Sequence, residues 1–241
     1  MQLQRNDLPL AFEAAGAGDP PLLLIHGWGA SRGVFAPLIH ATSGAHRVVA
    51  VDLPGHGESD APAQEPSVEA FADDVARVMS ALGLDRPVLI GHSLGGLVAL
   101  ELAARGLARA LVVLESPVAA PPAMATALRP ALDRLETDAY QTTAAALLER
   151  MLADIRRVPQ RVLAGSLRAA LTYDSRTAAP RVRCPLLYVG TSTPHADLPR
   201  LRESCPQLVV GQLVACGHYF PLEVPDQLHP MIRRFLAVAL G

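Results

Sequence analysis

The segment GHSLGG at residues 91–96 constrains the fold of this chain more than any other feature. It follows a short apolar run at 86–90 that is typical of a buried strand, and it precedes an alanine-rich apolar stretch at 97–104 that is typical of a helix. A serine flanked by glycines between a strand and a helix indicates a sharp turn, because the glycines allow a strained backbone and close packing of the helix on the strand. Ser93 is therefore predicted to stand exposed above the edge of a sheet.

Short apolar runs alternate with helical patterns on both sides of this turn. Five further runs have the length of buried strands, at residues 21–25, 47–51, 110–114, 185–190 and 207–210. A helix is predicted over 67–82, with Ser67 as its N-cap and Gly83 at its end, and a final helix over 225–239. Continuous apolar strands separated by helices predict an α/β fold with a mostly parallel central sheet flanked by helices on both faces.

The alternation of strands and helices breaks after residue 117. Residues 118–172 contain no convincing strand but several helical stretches, among them 124–135 and 144–156. We therefore expect one core domain, formed by residues 1–117 and 173–241, that is interrupted by a short helical lid at 118–172.

Composition excludes several classes of function. The 241 residues are 50% hydrophobic and 18% charged, which fits a globular domain with a sizeable core. A net charge of −2 gives no electrostatic basis for binding nucleic acid, and the apolar runs are too short for a membrane span. The three cysteines suit neither a zinc site nor a disulfide framework, and the first residues lack the pattern of a signal peptide. We expect a cytoplasmic protein with reduced thiols; its oligomeric state is not predictable.

Four segments together resemble the alpha/beta hydrolase superfamily: HGWG at 26–29, DLPGHGES at 52–59, GHSLGG at 91–96 and GH at 217–218. The likeness extends over nearly all of the chain, is weakest over the lid, and points to the small capped esterases and related hydrolases. It implies a catalytic triad with Ser93 as nucleophile and a histidine that comes last in the chain, whereas the turn at 52–59 is implied to be structural.

A serine hydroxyl is a poor nucleophile unless a neighbouring base takes its proton. His218 is the expected base, because it lies in a loop that follows the last predicted strand and can reach back over the sheet. His229 falls within the final helix, and His195 lies in a proline-containing loop before the last strand.

During acyl transfer the carbonyl oxygen gains a negative charge, and two backbone N–H donors are needed to stabilise it. Leu94, directly after the nucleophile, is expected to supply one, and Trp28, in the loop after the strand at 21–25, the other. The Trp28 side chain is expected either to wall the acyl pocket or only to pack against the core.

The acid of the triad is not where the resemblance implies. Members of the family usually carry it about three residues past a glycine like Gly190, and here that position is Thr193, which cannot stabilise an imidazolium. Glu115, at the end of the strand at 110–114, is the expected acid, as in some relatives that place it there. Asp197 is the alternative, although it is equally suited to cap a helix that starts at residue 198.

These residues predict a serine carboxylesterase that hydrolyses an apolar acyl or aryl ester through an acyl-enzyme intermediate, with a small-molecule ester as its partner and no cofactor or metal. A C–C bond hydrolase or perhydrolase with the same triad is one alternative, and a non-catalytic receptor for a small ligand is another. A dehalogenase is not expected, because a serine nucleophile would form an ether that water does not readily cleave. The lid arginines are expected either to face solvent or to meet an acidic carrier or a carboxylate; these are Arg156, Arg157, Arg161 and Arg168.

Overall fold

A computed structural model describes residues 10–119 and 145–241 of the chain. The strands in these residues are β1 (Phe12–Ala15), β2 (Leu22–Ile25), β3 (Val48–Val51), β4 (Val88–His92), β5 (Ala110–Leu114), β6 (Leu186–Gly190) and β7 (Leu208–Gln212). The helices are α1 (Ala36–Thr42), α2 (Val68–Ala81), α3 (Leu94–Ala104), α4 (Ala145–Arg157), α5 (Gln160–Thr172), α6 (Ser175–Ala178), α7 (Leu198–Ser204), α8 (Phe220–Glu223) and α9 (Pro225–Leu240). Short 3₁₀ segments lie at Arg32–Phe35 and Ala179–Arg181.

The strands form one seven-stranded sheet in the order β1-β3-β2-β4-β5-β6-β7. β1 pairs with β3 in the antiparallel sense, and each of the other neighbouring pairs is parallel. This mostly parallel sheet with helices on both faces confirms the predicted α/β fold.

The apolar runs form strands because both faces of the sheet are buried. Side chains from β2, β3, β4 and β5 point alternately into two core layers, as the twofold repeat of a strand requires. One layer is completed by residues of α2 and α3, and the other by residues of α1 and α9. Such strands read as continuous apolar runs rather than as an alternation with polar residues.

Helix α2 begins and ends at the residues that the sequence predicts. The Ser67 hydroxyl accepts a hydrogen bond from the Ala70 N–H at 3.0 Å, which satisfies one of the free donors of the first turn. Gly83 takes the left-handed conformation with φ 63° at the other end, and the Leu84 N–H bonds back to the Met79 carbonyl.

The structure differs from the predictions at two strands. β4 continues two residues beyond the predicted run at 86–90, because its ladder with β5 extends to the pair His92 and Leu114. β1 is not predicted, since its sequence FEAA has little strand propensity; the strand is fixed by its ladder with β3.

The predicted lid is helical where the structure describes it. α4 and α5 occupy 145–172, and the first of them coincides with the predicted helix at 144–156. The predicted helix at 124–135 lies outside the described residues. The division into 1–117, 118–172 and 173–241 stays a prediction.

The parallel strands place the candidate functional residues at one edge of the sheet. Ser93 follows β4, Glu115 follows β5, and His218 follows β7 by a few residues. Trp28 follows β2, and the loop 191–197 follows β6. In open α/β sheets, ligands bind at this carboxyl edge of the strands.

Candidate active site

Ser93 occupies the turn between β4 and α3 in a conformation that is rare for a residue with a side chain. Its φ is 52° and its ψ is −119°, and such backbone strain costs on the order of 1–3 kcal/mol and is concentrated at functional sites. The Ser93 N–H donates to the Leu114 carbonyl at 2.9 Å, and the Ser93 carbonyl accepts from the Gly96 N–H at 2.9 Å. These two bonds hold the strained turn in place.

Glycine is required at positions 91 and 95, because neighbouring backbone segments approach them too closely for a Cβ atom. A Cβ on Gly95 would lie 2.1 Å from the Ile25 carbonyl oxygen, and one on Gly91 would lie 2.2 Å from the Gly95 carbonyl oxygen. A Cβ on Gly27 would lie 3.0 Å from the Ser93 Cβ, so the loop after β2 lies directly against the serine.

The loop that carries His218 is held by hydrogen bonds to its backbone. His92 donates from Nε2 to the His218 carbonyl at 2.8 Å, and the two rings lie 4.7 Å apart. The Glu223 carboxylate accepts from the Gly217 N–H at 2.7 Å and from the Tyr219 N–H at 3.0 Å. The residues before and after His218 are therefore anchored to one carboxylate.

The environment of His218 favours its neutral form. Burial is the main cause that lowers the pKa of His218 well below its ordinary value, and the neighbouring His92 and His195 lower it further. Burial likewise lowers the pKa of His92 to about 4. A neutral imidazole can accept a proton at neutral pH, which a general base must do.

The loop after β2 carries Trp28, which lines the same cavity as Ser93. The turn is closed by a hydrogen bond from the Ala30 N–H to the Gly27 carbonyl at 3.3 Å, and the Trp28 N–H lies outside this bond. Leu94 is the first residue of α3, so its N–H has no acceptor within the helix. Trp28 and Leu94 both line the cavity above Ser93, and their role as donors to an oxyanion stays a prediction.

The Trp28 side chain lies between the core and the cavity above Ser93, and its role towards an acyl group stays a prediction. Its indole packs against the core and also lines the cavity above Ser93. Its Nε1–H donates to the Leu163 carbonyl of α5 at 2.9 Å.

The Glu115 carboxylate is buried beneath the loop that follows β6. It accepts hydrogen bonds from the Thr191 N–H at 2.6 Å and from the His195 N–H at 2.9 Å. Its Oε1 also lies 3.9 Å from Nδ1 of His195. Glu115 itself has a φ of 42°, so the end of β5 is strained as well. This carboxylate thus lies behind the site, against the loop that carries His195.

Asp197 serves as a helix cap. Its carboxylate accepts from the Arg200 N–H at 3.1 Å at the start of α7, and it does not line the cavity described below. Of the two interpretations of Asp197, the cap is the one that the structure shows.

A small cavity of about 80 Å³ lies above the serine. It is lined by Gly27, Trp28, His92, Ser93, Leu94, Pro117, Leu167, Ala170, Leu171, His195, His218 and Tyr219. The structure therefore brings the predicted nucleophile, base and amide donors to one cavity. Among the described lining residues, Leu167, Ala170 and Leu171 are the apolar contribution of α5.

Three arginines of α4 and α5 contact residues away from the cavity. Arg150 donates to the Gly33 carbonyl at 2.9 Å and Arg161 to the Pro62 carbonyl at 2.6 Å. Arg168 forms an ion pair with Glu65 at 2.6 Å. Arg156 and Arg157 are exposed.

Two residues of the site were not predicted as such from the sequence. Glu223 anchors the loop of His218, and its only signal is its place five residues later in the chain. His195 packs against His218 with the ring centroids 5.1 Å apart. Its signal is its position two residues after Thr193, where the family resemblance implies an acid.

Comparison with known proteins decides the family. A model of the alpha/beta hydrolase family matches residues 22–230 of the chain. The chain belongs to the alpha/beta hydrolase family. Among curated proteins, this alpha/beta hydrolase is 46% identical over 106 residues to a pimeloyl-[acyl-carrier protein] methyl ester esterase of Neisseria meningitidis, a match that covers 43% of this chain and 30% of that protein. It is 37% identical over 98 residues to a putative carbamate hydrolase of Azorhizobium caulinodans, covering 41% and 37%. The chain spans about a quarter to a third of the length of the first curated relatives it matches.

Solved structures resemble this alpha/beta hydrolase over nearly its whole length. An enol-lactonase from Burkholderia xenovorans superposes with a TM-score of 0.81 at 23% identity, covering 95% of this chain and 96% of that one. A thermophilic esterase from Thermogutta terrifontis superposes with a TM-score of 0.80 at 25% identity, covering 96% and 94%. These similarities agree with the fold described above.

Within residues 10–119 and 145–241, none of the helices combines the length and the apolar character that crossing a bilayer requires. The same residues contain no group of three or more His, Cys, Asp or Glu side chains placed to hold a metal ion. Cys184, Cys205 and Cys216 are free thiols.

Proposed function

We propose that this alpha/beta hydrolase is a serine carboxylesterase that cleaves small, apolar acyl or aryl esters. The observation that carries the proposal is the strained Ser93, which shares one cavity with His218, Trp28 and Leu94. The relatives named as esterase and hydrolase support the same reaction class. The cytoplasmic location expected from the sequence stays a prediction.

In the acylation step, His218 accepts the hydroxyl proton of Ser93 while the serine oxygen bonds to the ester carbonyl carbon. The carbonyl oxygen gains the negative charge and accepts hydrogen bonds from the N–H groups of Trp28 and Leu94. When the tetrahedral intermediate collapses, the bond to the alcohol oxygen breaks and His218 returns the proton to the leaving alcohol.

In the deacylation step, His218 accepts a proton from a water molecule that attacks the acyl-enzyme carbonyl. Collapse of the second intermediate releases the carboxylic acid and returns the proton to Ser93. His218 is neutral when each step begins, because burial lowers its pKa below the ordinary value. Glu115 is the carboxylate proposed to stabilise the imidazolium that forms transiently.

The size of the cavity supports a short acyl group. A space of about 80 Å³ beneath the apolar side chains of α5 accommodates only a few non-hydrogen atoms, and among the described residues its lining includes no lysine or arginine to bind a charged acyl chain.

A panel of p-nitrophenyl esters from acetyl to decanoyl, with a vinylogous diketone beside it, tests the proposal. We expect turnover that is highest for the short acyl chains, and no turnover by Ser93→Ala. Cleavage of the diketone without ester turnover would contradict the proposal in favour of a C–C bond hydrolase. Turnover of neither substrate would contradict it in favour of a receptor.

A further inference from the structure

The His195 imidazole lies between the Glu115 carboxylate and the His218 ring. Its Nδ1 is 3.9 Å from the carboxylate oxygen, and its ring centroid is 5.1 Å from that of His218, with 36° between the planes. We propose that His195 is a positioning residue for His218, and that Glu115 acts on the base through it; this rests on the proposed esterase function.

The backbone around His195 is fixed tightly enough to place its ring. The Glu115 carboxylate holds the N–H groups of Thr191 and His195. The next residue, Ala196, donates its N–H to the Tyr188 hydroxyl at 3.4 Å, and Asp197 then caps α7. Substitution of Glu115 would therefore release the loop that carries His195.

The His218 ring is packed between aromatic neighbours from different elements. His92 of β4 lies at 4.7 Å, His195 of the loop after β6 at 5.1 Å, and Tyr219 of its own loop at 5.4 Å. His92 is buried and bonded to the His218 carbonyl, so it is fixed on one side. The His195 side chain is 34% exposed and lines the cavity, so its removal would open His218 to solvent.

The distance between Glu115 and His195 identifies the kind of interaction. At 3.9 Å the carboxylate and Nδ1 are too far apart for a hydrogen bond, so the carboxylate holds His195 through its backbone N–H and packs beside the ring. The contacts of this carboxylate with the His195 backbone and ring are the means by which it influences the base.

Kinetics of matched variants test this arrangement. We expect His195→Ala to lower kcat by up to about 100-fold with little change in KM, because the base loses its alignment with Ser93. His195→Phe keeps a ring in place and should retain most of the activity. Glu115→Gln should add little to the loss in the His195→Ala background, because residues that act through one another are not additive. Thr193→Ala, at an exposed position in the same loop, is the control and should match the wild type.

A titration of the histidine ring resonances by NMR gives a readout that does not depend on ester turnover. The pKa of His218 measured in this way should rise in His195→Ala, because the ring becomes less buried and loses the electrostatic effect by which His195 lowers its pKa. Thr193→Ala should leave the midpoint unchanged. A higher midpoint in a protein that hydrolyses no ester would support the positioning role while contradicting the proposed function.

Three results would overturn the inference. His195→Ala could keep both the wild-type kcat and the wild-type His218 midpoint. The losses from Glu115→Gln and His195→Ala could multiply in the double variant, which would mean that they act separately. His195→Ala could also be as inactive as His218→Ala, which would make His195 a base rather than a positioning residue.

Discussion

At the scale of single residues, two carboxylates hold the loops of the candidate site in place by accepting backbone hydrogen bonds. Glu223 binds the backbone on both sides of His218, and Glu115 binds the loop of His195. Neither carboxylate is among the residues that line the cavity above Ser93. Each fixes the place of an imidazole that the chain would otherwise carry on a mobile connection.

Glu115 and Asp197 are expected to differ sharply when each is replaced by its amide. Glu115→Gln removes the charge behind the histidines and puts an amide donor against backbone N–H groups, so kcat should fall by up to about 100-fold, as for His195→Ala. Asp197→Asn should remain near the wild type, because asparagine caps a helix as well as aspartate does. Steady-state kinetics on a short-chain ester compare the two, and a larger loss for Asp197→Asn would reverse the assignment.

At the scale of elements, α3 lies directly on β2 and β4 at the point where Ser93 begins the helix. The contact leaves no space for a methyl group at Gly95, because two backbone carbonyls, of Ile25 and His26, lie within 2.4 Å of where its Cβ would be. Backbone atoms cannot rotate away as a flexible side chain can.

Gly95→Ala should therefore destabilise the fold by about 1–3 kcal/mol and displace the start of α3. Gly44→Ala is the control, because a Cβ there meets nothing within 4 Å, and its effect should stay within about 0.5 kcal/mol. Urea denaturation of both variants gives the free energies of unfolding. Equal stabilities would show that α3 adjusts its position without cost.

The elements predicted best from sequence are those whose signal is local. The strands β2, β3 and β5 are uninterrupted apolar runs, and α2 carries its own cap at Ser67. β1 is not predictable in this way, because its four residues are held by pairing with β3 rather than by propensity.

The residues of the candidate site also differ in whether a local sequence signal predicts them. Ser93 is found from the glycines around it, and His218 from its loop and the family resemblance. The contact between His195 and His218 brings together loops that follow two different strands. No spacing along the chain encodes that contact, so only the folded structure reveals it.

At the scale of the whole molecule, three buried histidines link stability to pH. Burial is the main cause that lowers the pKa of His26 and of His92 to about 4, and that of His56 to about 3. The unfolded chain binds protons at these histidines near pH 6.5, whereas the folded protein does so only at lower pH. Their stabilising contribution is therefore complete above pH 6.5 and is lost as the pH falls towards 4.

The free energy of unfolding should accordingly decrease between pH 7 and pH 5, with up to about 1.4 kcal/mol per pH unit from each histidine. Urea denaturation at pH 7.0, 6.0 and 5.0 measures this dependence above the range in which ordinary carboxylates titrate. A midpoint that stays constant across these values would contradict the neutral, buried state of these rings.

The central claim is that Ser93 is an activated nucleophile, and covalent labelling by a fluorophosphonate tests it most directly. The account predicts one added phosphonyl group on the intact protein, located on Ser93 by peptide mass spectrometry. Ser93→Ala should take up no label, and His218→Ala should be labelled far more slowly because the serine lacks its base. Wild-type protein that stays unlabelled, or that is labelled equally well after Ser93→Ala, would contradict the account.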